Sequence, residues 1–317
     1  MTLPNVHIAF RQALDGHTAG SPERADLLWT NLGLRQIADR LRQAGLDVST
    51  RVVAQLLDVH DFHRRQLFKS LPLGHFPQRD AQFAYIAHVK RDSLAAGLPV
   101  LSLDTKKREL IGPFHRYGWL YSPVRQRVYD HDFPRFADGV VIPHGIYDLR
   151  HNRGYVQLGT SHDTSAFACD SLALWWEHYG RRLYPAAPEI LLLCDGGGSN
   201  SARTYLFKAD LQTLANRLGK TFRVLHYPQY CSKYNPIEHR LFPHLSRACR
   251  GMVLRSVELV RQLMQQAGTR TGLQVVVDIL RTEYATGRKV AEEVKKNLNL
   301  HRDDFLPQLN YRIKPDP

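Results

Sequence analysis

The chain is poor in cysteine and has no long apolar run, and each shortage excludes a class of protein. Four cysteines, at 169, 194, 231 and 249, stand in 317 residues with no CxxC pair among them. This argues against a disulfide-built scaffold and fits free thiols in a reducing compartment. Cys231, His239, His244 and Cys249 are separated by seven, four and four residues, which matches no familiar zinc-finger spacing. The most apolar stretches, such as "EILLLC", are far too short to cross a bilayer. The opening "MTLPNVHIAFRQALDG" lacks the basic region and apolar run of a secretory signal, so a cytoplasmic location is expected. Internal repeats and low-complexity tracts are absent as well. Acid is in deficit, with 30 Asp+Glu against 43 Lys+Arg and a formal charge of +13. That excess favours a polyanionic partner, nucleic acid first. No basic amphipathic helix is long enough to favour a membrane surface.

What is present is an ordinary globular balance of apolar (43%) and charged (23%) residues, long enough for one large domain and one or two small ones. Residues 31–69 carry a helical period, with Leu34, Ile37, Ala38 and Leu41 on one face. Gly45 breaks the pattern, and Ser49 is placed to cap a second helix with Val52, Val53, Leu56 and Leu57 inward. Two short helices joined by a Gly-containing turn form either a helix-turn-helix or a plain helical hairpin. Arg35, Arg40, Arg42, Arg51, Arg64, Arg65 and Lys69 around them favour the DNA-binding alternative.

"SLPLGHFPQRD" at 70–80 reads as a linker. A helix over about 80–96 is expected to bury Phe83, Ile86, Ala87 and Leu94. The alphabet then changes. "LPVLSLDTK" is a short apolar strand ending in an acid, and "GVVIPHGIYDL" and "GYVQLGT" are strands joined by the turn "RHNRG". "DTSAFACDSLALWWEHYG" is an amphipathic helix with Asp163 at its cap and Trp175 and Trp176 in the core. "EILLLCDGGGSN" reads as a central strand buried on both faces, again ending in an acid. A helix over 201–218, the strand "FRVLHYP" and a helix opening at "NPIEHRLF" complete an α/β pattern, a mixed sheet flanked by helices.

Asp104 and Asp195 therefore end two strands, and Glu238 opens a helix just beyond a third. Neighbouring strands would bring the three carboxylates together, and such a cluster makes sense mainly around cations. Oxygen-only ligands favour Mg²⁺ or Mn²⁺, and two such ions can drive phosphodiester cleavage. Alternatives stay open at each position. Asp104 could start a turn. Asp195 precedes "GGGSNS", although that stretch lacks a P-loop lysine. Glu238 could close a capping box on Asn235, with Pro236 at the first helical position. Lys106, Lys107 and Arg108 after the first acid, and Lys233 before the third, are placed to meet DNA phosphates or simply to be solvated.

Taken together, "LSLDTKKRELIG", "YDHDFP", "IPHGIYDLRHNRGYVQLGTSHDT", "LLLCDGGGSN", "HYPQYCSKYNPIEHRLF" and "TRTGL" resemble the Rhodopirellula-type DDE transposases of bacterial insertion sequences. The resemblance covers nearly the whole chain. It implies a ribonuclease H-like catalytic domain whose triad, and ligands for Mg²⁺ or Mn²⁺ at two ions per site, fall on Asp104, Asp195 and Glu238. It further implies a helix-turn-helix region over 1–70, a linker and connecting helix over 71–97, the catalytic domain over 98–254 and an α/β extension packed on it over 255–317. DNA, as transposon inverted-repeat ends and target, is the implied partner, with self-association on DNA in a bacterial cytoplasm. Relatives usually continue further upstream. Ser161 stands where an acid is expected, and Tyr230-Cys231 replaces a Gly-Thr-like pair. The rival readings are a nuclease of the same fold that does not join strands, and a decayed transposase that only binds DNA.

Overall fold

The computed structural model describes residues 5–15, 18–20, 28–65 and 76–317. The chain divides into two compact units, Met1–Leu71 and Pro72–Pro317. Most of the linker read at 70–80, and Lys69, lie outside the described residues.

The first unit holds helix α1 (Val6–Leu14), a short antiparallel pair β1 (Thr18–Gly20) and β2 (Leu28–Thr30), and helices α2 (Leu34–Gln43) and α3 (Thr50–Val59). Gln36 Oε1 accepts from the Gly33 N–H at the start of α2, and Gly45 with φ 85° turns the chain after it. Ser49 caps α3 by accepting from the Val52 N–H at 3.4 Å, as the sequence predicts. Ile37, Ala38, Leu41, Val53 and Leu56 form the core, joined by Phe10, Ala13 and Leu14 of α1. Leu34 departs from its expected inward place. It is 40% exposed, because it opens α2 one turn ahead of the residues that meet α1 and α3. Helix α1 was not legible: Asn5 before it makes no side-chain cap.

The second unit opens with α4 (Arg79–Ala95), which buries Gln82, Ile86, Val89 and Ser93. Phe83 and Leu94 are half-buried, and Ala87, expected inward, is exposed. The buried stripe runs through 82, 86, 89 and 93, so a polar residue, Gln82, occupies a core position that apolar periodicity cannot find. Strands β3 (Val100–Thr105), β4 (Glu109–Ile111), β5 (Gly139–Asp148) and β6 (Arg153–Gly159) follow. Then come α5 (Ser165–Trp175), the one-turn α6 (Arg181–Leu183), β7 (Glu189–Cys194), α7 (Tyr205–Leu218) and β8 (Thr221–His226). Thr164, not Asp163, caps α5, accepting from the Phe167 N–H. Helix α7 begins four residues later than expected, after a single tight turn at Gly198–Asn200.

In the sheet, β3, β5 and β6 are antiparallel neighbours, while β7 runs parallel to β3 and β8 parallel to β7. Three antiparallel strands followed by two parallel ones form a mixed sheet consistent with a ribonuclease H-like fold. After α8 (Pro236–Arg240), α9 (Phe242–Ala248) and α10 (Val257–Gln265), the last segment adds to both edges. Strand β9 (Gln274–Leu280) joins β6 in parallel. Beyond α11 (Glu292–Asn297), β10 (Leu300–Arg302) pairs with β11 (Asn310–Ile313), which lies antiparallel to β8.

Helices cover both faces, and strand alternation decides what each side chain meets. On one face Leu101, Leu103, Ile190 and Leu192 pack with Trp175, Trp176, Phe207 and Leu211 of α5 and α7. On the other, Val100, Leu191, Leu193 and Leu225 meet Ile86 and Val89 of α4. "EILLLC" is apolar throughout because both of its faces are covered. No helix among the described residues is long and apolar enough to cross a membrane.

Candidate active site

Strand register brings the first two acids together. Leu103 pairs with Cys194 in the parallel β3–β7 ladder, so Asp104 and Asp195 are the next residues along adjacent strands. By the two-residue period they share a face with Val100, Ser102, Leu191 and Leu193. The third acid reaches that face from α8, whose start is fixed to β3 rather than capped by its own residues. Ser102 Oγ accepts from the Ile237 N–H at 2.9 Å and donates to Asn235 Oδ1 at 2.5 Å, while Asn235 Nδ2 donates to the Leu103 carbonyl at 3.0 Å. Asn235 precedes the helix yet makes no side-chain cap on it, so the alternative, a capping box between Asn235 and Glu238, is not formed. The physical reason is burial: a wholly buried amide must find partners, and the nearest are on β3.

Glycine sets the depth of α8. Gly145 lies opposite Asp104 in the β3–β5 ladder, and a Cβ there would stand 2.8 Å from Ile237 and 2.7 Å from Phe242. Gly154 on β6 similarly makes room for Leu241. Only a bare backbone lets the helix settle against the sheet at this level.

Burial and neighbouring charge act on both aspartates. Burial and then the charge of Asp195 push the Asp104 pKa up to about 8; the Thr105 N–H opposes this at 2.7 Å, and Glu238 adds its charge and a hydrogen bond. Asp195 is raised as well, by burial first; the Gly197 N–H opposes that, and the charges of Glu238 and Asp163 add to it. Asp163 is an acid that strand-end reasoning missed at this site. It accepts from Thr105 Oγ1 at 3.0 Å, next to Asp104.

A second missed group holds Asp195 from behind. His226 ends β8 opposite Cys194, wholly buried, and burial lowers its pKa to about 4. The neutral ring donates from Nδ1 to the Asp195 carbonyl at 2.8 Å, leaving Nε2 to accept from the Tyr311 hydroxyl at 3.2 Å. Ser102 is a polar residue among apolar ones in β3, the one signal the sequence offered for it, whereas His226 ends a strand that also carries Arg223 and gave none.

An all-carboxylate donor set suits Mg²⁺ or Mn²⁺, and the raised proton affinities are what a dication would reverse. Among the described residues no three His, Cys, Asp or Glu side chains are placed to hold one ion. The charge of Glu238 reaches both aspartates, yet the three acids do not converge on a single point. All four cysteines are free and buried.

The basic candidates are distributed unevenly. Lys107 and Arg108 are exposed beside Asp104, but Lys106 is half-buried and pairs with Glu109 at 2.5 Å, which also binds Arg116. Lys233 is exposed, its ammonium 5.1 Å from the centre of the Tyr234 ring. Arg35, Arg51, Arg64 and Arg65 are exposed on the separate first unit. Of the departures from the family pattern, Ser161 Oγ accepts from the Tyr284 N–H at 3.0 Å. Tyr230 holds a left-handed backbone, φ 60°, that favours glycine.

Replacing Asn235 with Ala should take the amide donor from the Leu103 carbonyl and leave the Ser102 hydroxyl proton without its buried acceptor. The expected loss exceeds about 2 kcal/mol, since each orphaned polar group costs about 1–3 kcal/mol. Denaturant unfolding would measure it, and a loss near that of an ordinary cap, about 1 kcal/mol, would mean Asn235 does not tie α8 to β3.

A protein-family profile described as "Rhodopirellula transposase DDE domain" matches residues 9–315. No curated protein matches the chain. Among solved structures, "Mos1 transposase paired-end complex with left transposon end" aligns over 81% of this chain and 68% of that one, at 16% identity and TM-score 0.43. "Crystal structure of the mariner Mos1 paired end complex with Mg" aligns over 80% and 68%, at 16% identity and TM-score 0.44. "Crystal structure of the Mos1 Strand Transfer Complex" aligns over 81% and 68%, at 14% identity and TM-score 0.42.

Proposed function

The chain belongs to the Rhodopirellula transposase DDE-domain family, and from that premise we propose that it is a transposase that binds the ends of an insertion sequence and catalyses metal-dependent cutting and joining of DNA. The observation that carries this reading is the gathering of Asp104, Asp195 and Glu238 on one face of the sheet, where the charge of Glu238 adds to the raised proton affinity of both aspartates. In this reading Asp104 and Asp195 would hold two Mg²⁺ or Mn²⁺ ions most directly, and Glu238 would complete the second site. Such ions, when bound, activate a water or a 3′-hydroxyl and stabilise the leaving oxygen.

The chain's own residues do the positioning. His226 fixes the Asp195 backbone, Ser102 and Asn235 fix the helix that carries Glu238, and the buried sheet beneath excludes water from behind the carboxylates. Lys107, Arg108 and Lys233 supply charge for phosphates at the rim. Helices α2 and α3 are read as the helix-turn-helix that contacts transposon ends. Exposed rings at Tyr117, Trp119 and Tyr121, between β4 and β5, support self-association on DNA.

The test is to incubate the purified chain with Mg²⁺ or Mn²⁺ and a plasmid carrying the inverted repeats that flank its gene. Nicked ends together with joined product are expected. Cleavage without joining would make the chain a nuclease, and binding without cleavage a DNA-binding protein. The +13 charge further predicts that affinity falls steeply with salt, through release of counterions. Arg51→Ala, at the exposed start of α3, should weaken binding to repeat ends more than to random duplex. Equal losses on both, in a gel-shift titration, would reduce α3 to a general phosphate contact.

A further inference from the structure

Helix α8, which carries Glu238, is five residues long and too short to fix its own direction. One support lies inside, where Ser102 and Asn235 tie its start to β3. A second lies outside the acid cluster, on the turn that precedes it. Between β8 and α8 the chain passes Tyr230, with its left-handed backbone, and then turns tightly through Ser232–Tyr234. The Tyr234 N–H donates to the Cys231 carbonyl at 2.9 Å, the Asn235 N–H to the Ser232 carbonyl at 2.8 Å, and the Glu238 N–H to the Asn235 carbonyl at 3.0 Å. Backbone bonds thus run without a gap from the turn to the acid, and whatever grips Tyr234 sets the approach of α8.

The grip comes from α4. The Arg79 guanidinium carbon lies 5.9 Å from the centre of the Tyr234 ring and 5.8 Å from that of Phe83, and the two rings meet edge-on with centres 5.1 Å apart. Cys231, buried beside the same turn, is the neighbour that most raises the Arg79 proton affinity. Tyr234 is 44% exposed, so burial alone does not hold it. The same stretch of α4 reaches the other acid. Gln82 donates to the His226 carbonyl at 2.9 Å, and the Phe83 ring centre stands 5.9 Å from that of Tyr227. One helix therefore spans from the strand end behind Asp195 to the turn ahead of Glu238, and it contains neither acid.

A cation over a ring face makes a directional contact, because the attraction holds only while the charge stays above the π system. A planar guanidinium can serve two rings at once, where a lysine ammonium offers a point charge. Two supports on opposite sides fix the angle of a short helix; one would leave it free to tilt. We propose that Arg79 is a positioning residue for Glu238: with Phe83 it holds Tyr234, and through that turn the angle of α8, so that the carboxylate meets the ions held by Asp104 and Asp195. The inference rests on the transposase reading above and makes ion affinity depend on a residue outside the acid cluster.

The experiment titrates Mn²⁺ into the full chain without DNA and reads the free ion by electron paramagnetic resonance. Arg79→Ala should weaken the apparent affinity about tenfold, equivalent to about 1.4 kcal/mol and within the range of a partly desolvated cation–π contact. Tyr234→Ala should do the same, and Tyr234→Phe, which keeps the ring face, should bind as the wild type does. Arg91→Ala, at the exposed far end of the same helix, should leave the affinity unchanged. In a Glu238→Gln background Arg79→Ala should cost less than about twofold, because the group it positions is gone. In cleavage of repeat-end DNA, the half-saturating Mn²⁺ concentration should rise by about the same tenfold while the rate at saturating Mn²⁺ stays within about twofold.

Wild-type Mn²⁺ affinity in a folded Arg79→Ala protein would overturn the proposal. So would an equal loss with and without Glu238, which would make Arg79 a general prop of the fold. Should Arg79→Ala fail to fold, the contrast between Tyr234→Ala and Tyr234→Phe decides the matter alone. A wild type that neither binds Mn²⁺ nor cuts repeat DNA would sink the transposase reading itself, whereas the first two results leave that reading intact.

Discussion

Glu238→Gln is expected to lower Mg²⁺-dependent cleavage of repeat-end DNA by about 10³-fold or more while leaving the protein folded. The loss follows from what a carboxylate gives a metal centre: a neutral amide balances no charge, and bound ions supply several kcal/mol of barrier reduction at about 1.4 kcal/mol per tenfold. The fold is spared because the start of α8 depends on Ser102 and Asn235, and Glu238 forms no capping box. Asp195→Asn should behave alike, since an amide oxygen can still accept from the Gly197 N–H. Single-turnover cleavage beside thermal unfolding makes the comparison. A Glu238→Gln protein that cuts like the wild type would remove this residue from the metal set.

Asp104→Asn should have two effects of opposite sign. In the presence of Mn²⁺ the variant should lose cleavage as Glu238→Gln does. In metal-free buffer it should be more stable than the wild type. The Asp104 carboxyl is held at about 8 in the native state against 3.8 for an unperturbed one. Between those values the folded chain keeps a proton that the unfolded chain has released, so metal-free stability falls as pH rises through that window and levels off above it. The advantage of Asn, which is neutral throughout, should accordingly appear above about pH 4 and be largest near pH 8 and beyond, on the order of a few kcal/mol at about 1.4 kcal/mol per pKa unit. For a unit of this size each kcal/mol moves the melting temperature by about 2–4 °C. Mn²⁺ should reverse the ranking by stabilising only the wild type, through binding to the native state. Equal melting curves for the two proteins in EDTA at pH 8.5 would mean that burial and the charge of Asp195 do not raise the Asp104 carboxyl.

The acids were legible because each closes a recognisable pattern: an apolar strand, a second apolar strand, and a proline-started helix. Their shared face was not, because it depends on the register that pairs Leu103 with Cys194 and on where the helix carrying Glu238 packs. What holds them was not. Ser102, His226 and Gln82 are polar residues at core positions, and only the fold shows that each has a buried partner hundreds of atoms away along the chain. Asn235 looks like a cap from its neighbours and turns out to be a cross-brace, because burial outweighs local capping. Leu34 and Ala87 are apolar residues that the periodicity turned inward and the packing leaves outside. Asp163 was read as a helix cap for its place before "TSAF"; Thr164 takes that role, and the acid faces Thr105 and the charge of Asp195.

The sheet's far edge sets an order of events in the making of the protein. Gln82 of α4 exchanges hydrogen bonds with Asn310 in both directions and also donates to the His226 carbonyl, and the next residue, Tyr311, donates to the ring of His226. The support behind Asp195 thus joins parts of the chain more than two hundred positions apart. A ribosome delivers the chain from the N-terminus at about 5–20 residues per second, so Asp104 and Asp195 are made well before the strand that steadies them. Closing so long a loop is also slow. The newborn chain therefore spends its first seconds with three acids in hand and the brace for one of them still missing, so the completed acid cluster is expected to be among the last features it acquires.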